Sequence, residues 1–233
     1  MLFSKNNILN AIKTIAHALG DLNDDVVYVG GAVIGLYVDD PGAPEIRPTK
    51  DIDIVIEVET QADLEKFRKE MAKRKIYFAK QEGIVCRFVY QNILLDVLAT
   101  KKIGWAPSNI WFKPGKGRAI NYDLGGIQIK IMPLAYFLAA KFSAFESRGK
   151  DPRQSKDFED IVYVLDNKMK LVDDLMILDK DVRIFLRERF EKLLTLPLWR
   201  EAVLAHLEPQ SQMERFEMLE KKIRRILQGF SEA

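Results

Sequence analysis

The sequence predicts an α+β protein, a half in which strands and helices alternate followed by a C-terminal helical domain. Three observations carry this. Residues 51–58 alternate strictly between two faces, short β-rich runs punctuated by glycine and proline continue to about residue 131, and from Pro133 onward the apolar spacing is helical. A chain of 233 residues, 48% of them hydrophobic, is long enough to bury one large core or two small ones, and we divide it at 1–132 and 133–233.

In chain order, Ile8, Leu9, Ile12, Ile15, Ala16 and Leu19 share one helical face, preceded by capping candidates from Ser4 to Asn7 and stopped by Gly20. A β-rich run over 26–29 leads into the doublet Gly30-Gly31 and a short helix through Leu36. The stretch 39–48 holds three prolines and a glycine and reads as a loop. In the strand that follows, Asp51, Asp53, Val55 and Glu57 face one way, while Ile52, Ile54, Ile56 and Val58 face the other. Thr60 caps a helix to about residue 74, and strands follow at 76–79, 84–90 and 93–99. Residues 105–131 mix glycine, proline, aromatic and basic residues, and are expected to form an irregular excursion or hairpin with strands near 119–122 and 127–131. Helices are expected at 133–147, 155–166, 180–194, 197–206 and 211–228.

Composition excludes several classes of function. Charged residues make up 30% but nearly cancel, at +2, so no global charge argues for a nucleic-acid or membrane partner. The single cysteine, Cys86, rules out an internal disulfide and thiolate-rich zinc sites, and His17 and His206 both lie in helical patterns among apolar residues. The N-terminal residues lack a signal-peptide pattern. The most apolar stretch, Pro133 to Phe145, is broken by Lys141 and is too short to span a bilayer, so a cytoplasmic setting without a membrane partner is expected.

The chemistry concentrates in the first half. Carboxylates at positions i and i+2 of a strand lie on one face and repel each other unless a cation lies between them, for which a divalent metal is the natural occupant. Asp51 and Asp53 are such a pair. Asp96 is the best third ligand, because it interrupts the apolar strand Ile93-Leu94-Leu95-Asp96-Val97-Leu98, where an unpartnered carboxylate is costly. Gly30-Gly31, between strand and helix, allows backbone amides to approach a phosphate without obstruction. In the second half, Lys141 shares a helical stripe with Leu134, Leu138 and Phe145, as a snorkelling side chain or as a point charge toward phosphates. Asp157 and Asp160, one helical step apart, either complement their helix N-terminus behind Ser155, or orient Lys141 or contact a nucleoside. Arg148, Lys150, Arg153 and Lys156 form a basic cluster. Lys113, Lys116 and Arg118 with Trp105, Trp111 and Phe112 form a second, for which ordinary packing is the plainer reading and base stacking the sharper one.

Val29-Gly30-Gly31-Ala32-Val33, followed by Arg47-Pro48-Thr49-Lys50-Asp51-Ile52-Asp53, resembles the nucleotidyltransferase superfamily of the polymerase-beta type. The Arg-x-Thr-x-Asp-Ile-Asp run is most similar to the AbiEii-like group, which includes toxins of toxin–antitoxin systems. So is Leu138-Ala139-Ala140-Lys141 with the later Lys156-Asp157-Phe158-Glu159-Asp160-Ile161. The resemblance spans roughly residues 28–160. It implies a mixed sheet carrying Asp51, Asp53 and Asp96 as catalytic and metal-binding residues, with Mg2+ or Mn2+ as cofactor. It also implies a nucleoside triphosphate as substrate, whose nucleoside monophosphate is transferred with release of pyrophosphate. Gly30, Gly31, Lys141, Asp157 and Asp160 would bind the nucleotide. The acceptor stays open among tRNA, a protein side chain and a small hydroxyl compound, and an antitoxin is an implied partner. Many relatives carry Ser or Thr after the doublet where this chain has Ala32, which shifts the phosphate grip to backbone amides. Ala-Val at that place is reminiscent of CCA-adding enzymes, but their later arginine-rich run is absent. The competing expectations are a nucleotide-binding regulatory module without turnover and a plain interaction protein with solvated aspartates.

Overall fold

The computed structural model describes residues 5–79, 86–149, 151–176 and 178–232. Its contacts divide the chain into two compact units, Met1–Gly35 with Ile46–Pro133, and Leu36–Glu45 with Leu134–Ala233. Among the described residues no helix is long and apolar enough to cross a membrane.

The first unit is built around a mixed sheet. Its strands are β1 (Val27–Val29), β2 (Asp51–Ile56), β3 (Tyr77–Phe78), β4 (Arg87–Tyr90), β5 (Ile93–Ala99), β6 (Ile120–Asp123) and β7 (Gln128–Ile131). Among the described residues these seven lie in the order β3-β4-β5-β2-β1-β7-β6, which puts the Asp-Ile-Asp strand at the centre. β2 runs antiparallel to β1 and parallel to β5, while β5 returns from β4 as a hairpin and β7 joins β1 in parallel. The alternation read in 51–58 has its expected result: Ile52 and Ile54 are fully buried, whereas Asp51 and Asp53 are partly accessible. Val55 is fully buried as well, so beyond the two aspartates this face of the strand also goes into the core.

Helix α1 (Lys5–Leu19) buries Ile8, Ala11, Ile12, Ile15, Ala16 and Leu19, and Gly20 leaves it with φ +55°. Of its expected caps, Ser4 lies outside the described residues. A 3-10 helix, Gly31–Leu36, follows β1 where a short helix is expected. α2 (Gln61–Lys73) starts in a capping box, in which the Asp63 amide donates to Thr60 Oγ1 at 3.1 Å and the Thr60 amide to Asp63 Oδ2 at 2.9 Å. Residues 84 and 85, the expected start of the β4 strand, lie outside the described residues. α3 (Phe112–Lys116) is an extra helical turn inside the stretch expected to be irregular. Pro114 and Gly115 hide it from a propensity reading, yet Gly115 is needed there, because a Cβ on it would lie 2.8 Å from Met132 Sδ.

The second unit is helical: α4 (Leu134–Arg148), α5 (Lys156–Asn167), α6 (Leu171–Asp174), α7 (Lys180–Thr195), α8 (Pro197–His206) and α9 (Gln212–Glu232). α4 packs on α5 and α7, and α9 on α5, α6, α7 and α8. An aromatic core joins them, with Phe158 edge-on to both Phe145 and Trp199 at ring-centroid distances of 5.2 and 5.4 Å, and Phe142 stacked on Trp199 at 6.1 Å. α6 is too short to show a helical period, and fully buried Leu171 anchors it. Leu36–Glu45 is tied to this unit by the amides of Asp39 and Asp40, which donate to the Asn167 carbonyl, and by Tyr163 Oη, which donates to the Pro44 carbonyl.

Candidate active site

Strand register sets the geometry of the first site. β2 and β5 pair with Asp53 directly opposite Asp96, β1 and β2 with Val29 opposite Asp53, and β4 and β5 with Arg87 opposite Asp96. Paired residues of neighbouring strands project to the same face, so Asp53, Asp96 and Arg87 form one row across three strands. Asp51 lies two residues before Asp53 and shares its face.

The sequence reading did not single out Arg87, yet it is the principal partner of this row. Its Nε donates to Asp96 Oδ1 and its Nη2 to Asp96 Oδ2, both at 2.7 Å, and Nη2 also donates to Asp51 Oδ2 at 2.5 Å. Arg87 is 7% exposed and Asp96 9%. A buried carboxylate in an apolar strand needs a strong partner, and a bidentate guanidinium is the strongest that a side chain offers. The hydrogen bonds and charge of Asp96, with the charge of Asp51, hold Arg87 above even its ordinary high pKa against the effect of burial. A short hairpin sets this pairing. A two-residue turn at Gln91-Asn92, with Gln91 at φ +53°, pairs Tyr90 with Ile93 and therefore Arg87 with Asp96.

The glycine doublet meets the same row. Gly30 has φ +74°, and a Cβ on it would collide with Asp53 Oδ2, so the Asp53 carboxylate lies against backbone that only glycine supplies. A Cβ on Gly31 would lie 3.1 Å from Arg47 Nη2 and 3.4 Å from Thr49 Oγ1. A guanidinium and a hydroxyl thus flank the doublet, although Ala32 brings no hydroxyl of its own.

The lone thiol is beside this charge. Burial, with the nearby carboxylates of Asp96 and Asp53 adding to it, pushes Cys86 up to about 11. Thiolate rather than thiol is the nucleophile, so at pH 8 only about one molecule in a thousand is reactive. Iodoacetamide is expected to leave Cys86 of the native protein unmodified at pH 8 for hours and to label it stoichiometrically in denaturant, read by intact mass.

The helical unit holds the second cluster. Lys141 projects from the buried side of α4, with its side chain 12% exposed, and its Nζ donates to Asp160 Oδ2 at 2.7 Å and to Asp157 Oδ1 at 3.3 Å. Arg148 donates to the other oxygen of Asp157. Lys141 therefore ends on two carboxylates, and its ammonium is not simply led to water. Ser155 does cap α5, its hydroxyl accepting from the Phe158 amide at 3.4 Å. Of the basic cluster, Arg153 pairs with Asp151, Lys156 is exposed, and Lys150 lies outside the described residues.

The basic and aromatic patch near residue 111 takes the plainer reading. Trp111 and Phe112 are buried, Trp105 packs on Phe88 and donates to Glu65 at 3.0 Å, and Lys113 and Lys116 lie 3.6 Å from Glu59 and Glu57.

Asp51, Asp53 and Asp96 offer only hard oxygen donors, the chemistry that suits Mg2+ or Mn2+. Among the described residues no three acidic, histidine or cysteine side chains are drawn together as a ligating cluster, and Arg87 is bonded to two of these three.

The chain matches the family model described as nucleotidyl transferase AbiEii toxin, type IV TA system, over residues 15–232. Among solved structures it matches an antigenic nucleotidyltransferase-like protein from Paracoccidioides brasiliensis, with a TM-score of 0.54 and 18% identity over 92% of this chain and 100% of that chain. At that identity the likeness is one of fold. No curated protein matches the chain.

Proposed function

The chain belongs to the AbiEii family of nucleotidyl transferases, and from that premise we propose that Asp51, Asp53 and Asp96 hold Mg2+ or Mn2+ for transfer of a nucleoside monophosphate from a nucleoside triphosphate to an acceptor hydroxyl. The observation that carries this reading is the register that sets Asp53 opposite Asp96 and against Gly30, with Asp51 on the same face. In the transfer the acceptor oxygen bonds to the α-phosphorus, the bond to the pyrophosphate oxygen breaks, and the hydroxyl proton leaves to a base. The bound cation supplies neutralisation of phosphate charge and polarisation of the reacting phosphoryl group.

The chain's own residues have distinct tasks in this reading. Gly30 and Gly31 present backbone to the phosphates, and Arg47 and Thr49 flank them with a cation and a hydroxyl in place of the one that Ala32 lacks. Asp96 is the candidate to take the acceptor's proton. Both of its oxygens accept from Arg87, so this role depends on Arg87 withdrawing from at least one of them. Lys141, oriented by Asp157 and Asp160, meets the nucleotide as a point charge. We assign the transfer chemistry to residues 1–132 and the helical domain to 133–233, with a cytoplasmic toxin's role and an antitoxin as partner. The acceptor is tRNA, a protein side chain or a small hydroxyl compound.

A second reading, a nucleotide-binding module without turnover, is favoured by Ala32 and by the hold of Arg87 on two of the three carboxylates. Calorimetry with each nucleoside triphosphate, with and without Mg2+, followed by a pyrophosphate assay in the presence of an RNA and protein pool, separates the two. The transferase binds nucleotide in a metal-dependent manner and releases pyrophosphate. Metal-dependent binding with no pyrophosphate, from a pool shown to contain RNA and protein acceptors, favours the module.

A further inference from the structure

Resting on the reading of Asp51, Asp53 and Asp96 as metal ligands, we propose that Arg87 is a built-in counter-ion that must yield Asp51 and Asp96 before a divalent cation is held there, so that Arg87 sets the metal affinity of the site.

Three carboxylates on one sheet face repel one another, and that repulsion, together with the burial of Asp96, is costly unless a cation is at hand. Arg87 is that cation in the structure. It takes both oxygens of Asp96 and one oxygen of Asp51, through three hydrogen bonds of 2.5–2.7 Å. Arg87 offsets part of the negative charge of the three carboxylates, and their hard oxygens still suit a divalent cation. The row is thus stable without metal and still attracts it.

Arginine is the only side chain that performs this role without a pH limit. Its guanidinium does not lose its proton in proteins, so Arg87 is never neutralised in place and can only move. The hairpin register fixes its backbone opposite Asp96, which confines that movement to a swing of the side chain. Metal binding therefore includes the cost of breaking the Arg87 bonds to Asp51 and Asp96. That cost lowers affinity for the bare ion and leaves Arg87 close by, as a cation beside incoming phosphates. Arg87 is a positioning residue in this account: it acts through the two carboxylates.

The test titrates Mn2+ into full-length wild type, Arg87→Gln, Arg87→Lys and Asp53→Asn by isothermal calorimetry, without nucleotide. Removing a cation from contact with the ligands is expected to tighten Mn2+ binding roughly tenfold or more in Arg87→Gln. Arg87→Lys, which keeps a charge on the strand but cannot form the fork, falls between it and wild type, and Asp53→Asn weakens binding. A purely structural Arg87 predicts that Gln and Lys bind equally or less well than wild type. Mn2+ binding by wild type that Arg87→Gln matches or loses overturns the displacement alone; absence of binding by wild type and every variant overturns the metal reading and this proposal with it. A second readout needs no stable variant. The Arg87 Nε–H of wild type is expected to exchange slowly without metal and at least tenfold faster at saturating Mg2+. An unchanged rate in protein that calorimetry shows to be loaded overturns the proposal.

Discussion

Gly30→Ala is expected to lower nucleotidyl transfer by about a hundredfold or more, because the substitution moves a proposed metal ligand itself. Gly30 sits at φ +74°, where an L side chain is strained, and its new Cβ would occupy the place of Asp53 Oδ2. Either the doublet shifts away from the phosphates or Asp53 turns away from Asp96. The cost to folding is modest by comparison, about 1–3 kcal/mol, the scale of a residue held in an unfavourable backbone region. Urea denaturation and activity should therefore separate: a variant that is folded at assay temperature yet nearly inactive. Gly126→Ala is the control, since it too has positive φ, at +90°, but a Cβ there meets nothing within 4 Å. Full activity in Gly30→Ala would show that the close approach of Asp53 to the doublet has no part in the chemistry.

Asp160→Ala should destabilise the helical unit by about 3 kcal/mol, the lower end of the range for breaking a buried pair. Asp160 is 1% exposed and accepts from Lys141 at 2.7 Å, and its loss removes the shorter of two carboxylate bonds to a nearly buried ammonium, the other being to Asp157, itself shared with Arg148. The penalty is chiefly that of a buried Lys141 charge less well matched than before. The double variant Lys141→Met/Asp160→Leu should accordingly recover most of the stability, while both variants lose affinity for the nucleotide. Denaturant midpoints and nucleotide KM read the two effects apart. A double variant as unstable as Asp160→Ala would mean that Asp160 supports the fold through something other than Lys141.

The sequence carried much of this architecture because strand periodicity is a direct signal. Asp51 and Asp53 on one face, the apolar strand around Asp96 and the helical stripe of Lys141 all follow from periods of two and 3.6 residues. The family resemblance to AbiEii-like nucleotidyltransferases agrees with the family match, and the expected α+β class with the mixed sheet and helices. What periodicity does not carry is which strand lies beside which. That Asp53 stands opposite Asp96 depends on a long-range parallel pairing, and no local pattern fixes its register. Arg87 was missed for a different reason. Its place opposite Asp96 is set by a short hairpin, but Gln91-Asn92 is not a typical two-residue turn signal. α3 escaped because proline and glycine argue against helix locally, whereas the close approach of Met132 requires the glycine.

Nucleotidyl transfer is the role proposed for the aspartate row. Its most direct test incubates the wild-type chain and Asp51→Ala/Asp53→Ala with each of four α-labelled nucleoside triphosphates, Mg2+ and a pool of tRNA and cellular protein, and follows where the label goes. Label is expected on one acceptor class with wild type, and none with the variant, shown by circular dichroism to be folded. Equal labelling by the folded variant would contradict it.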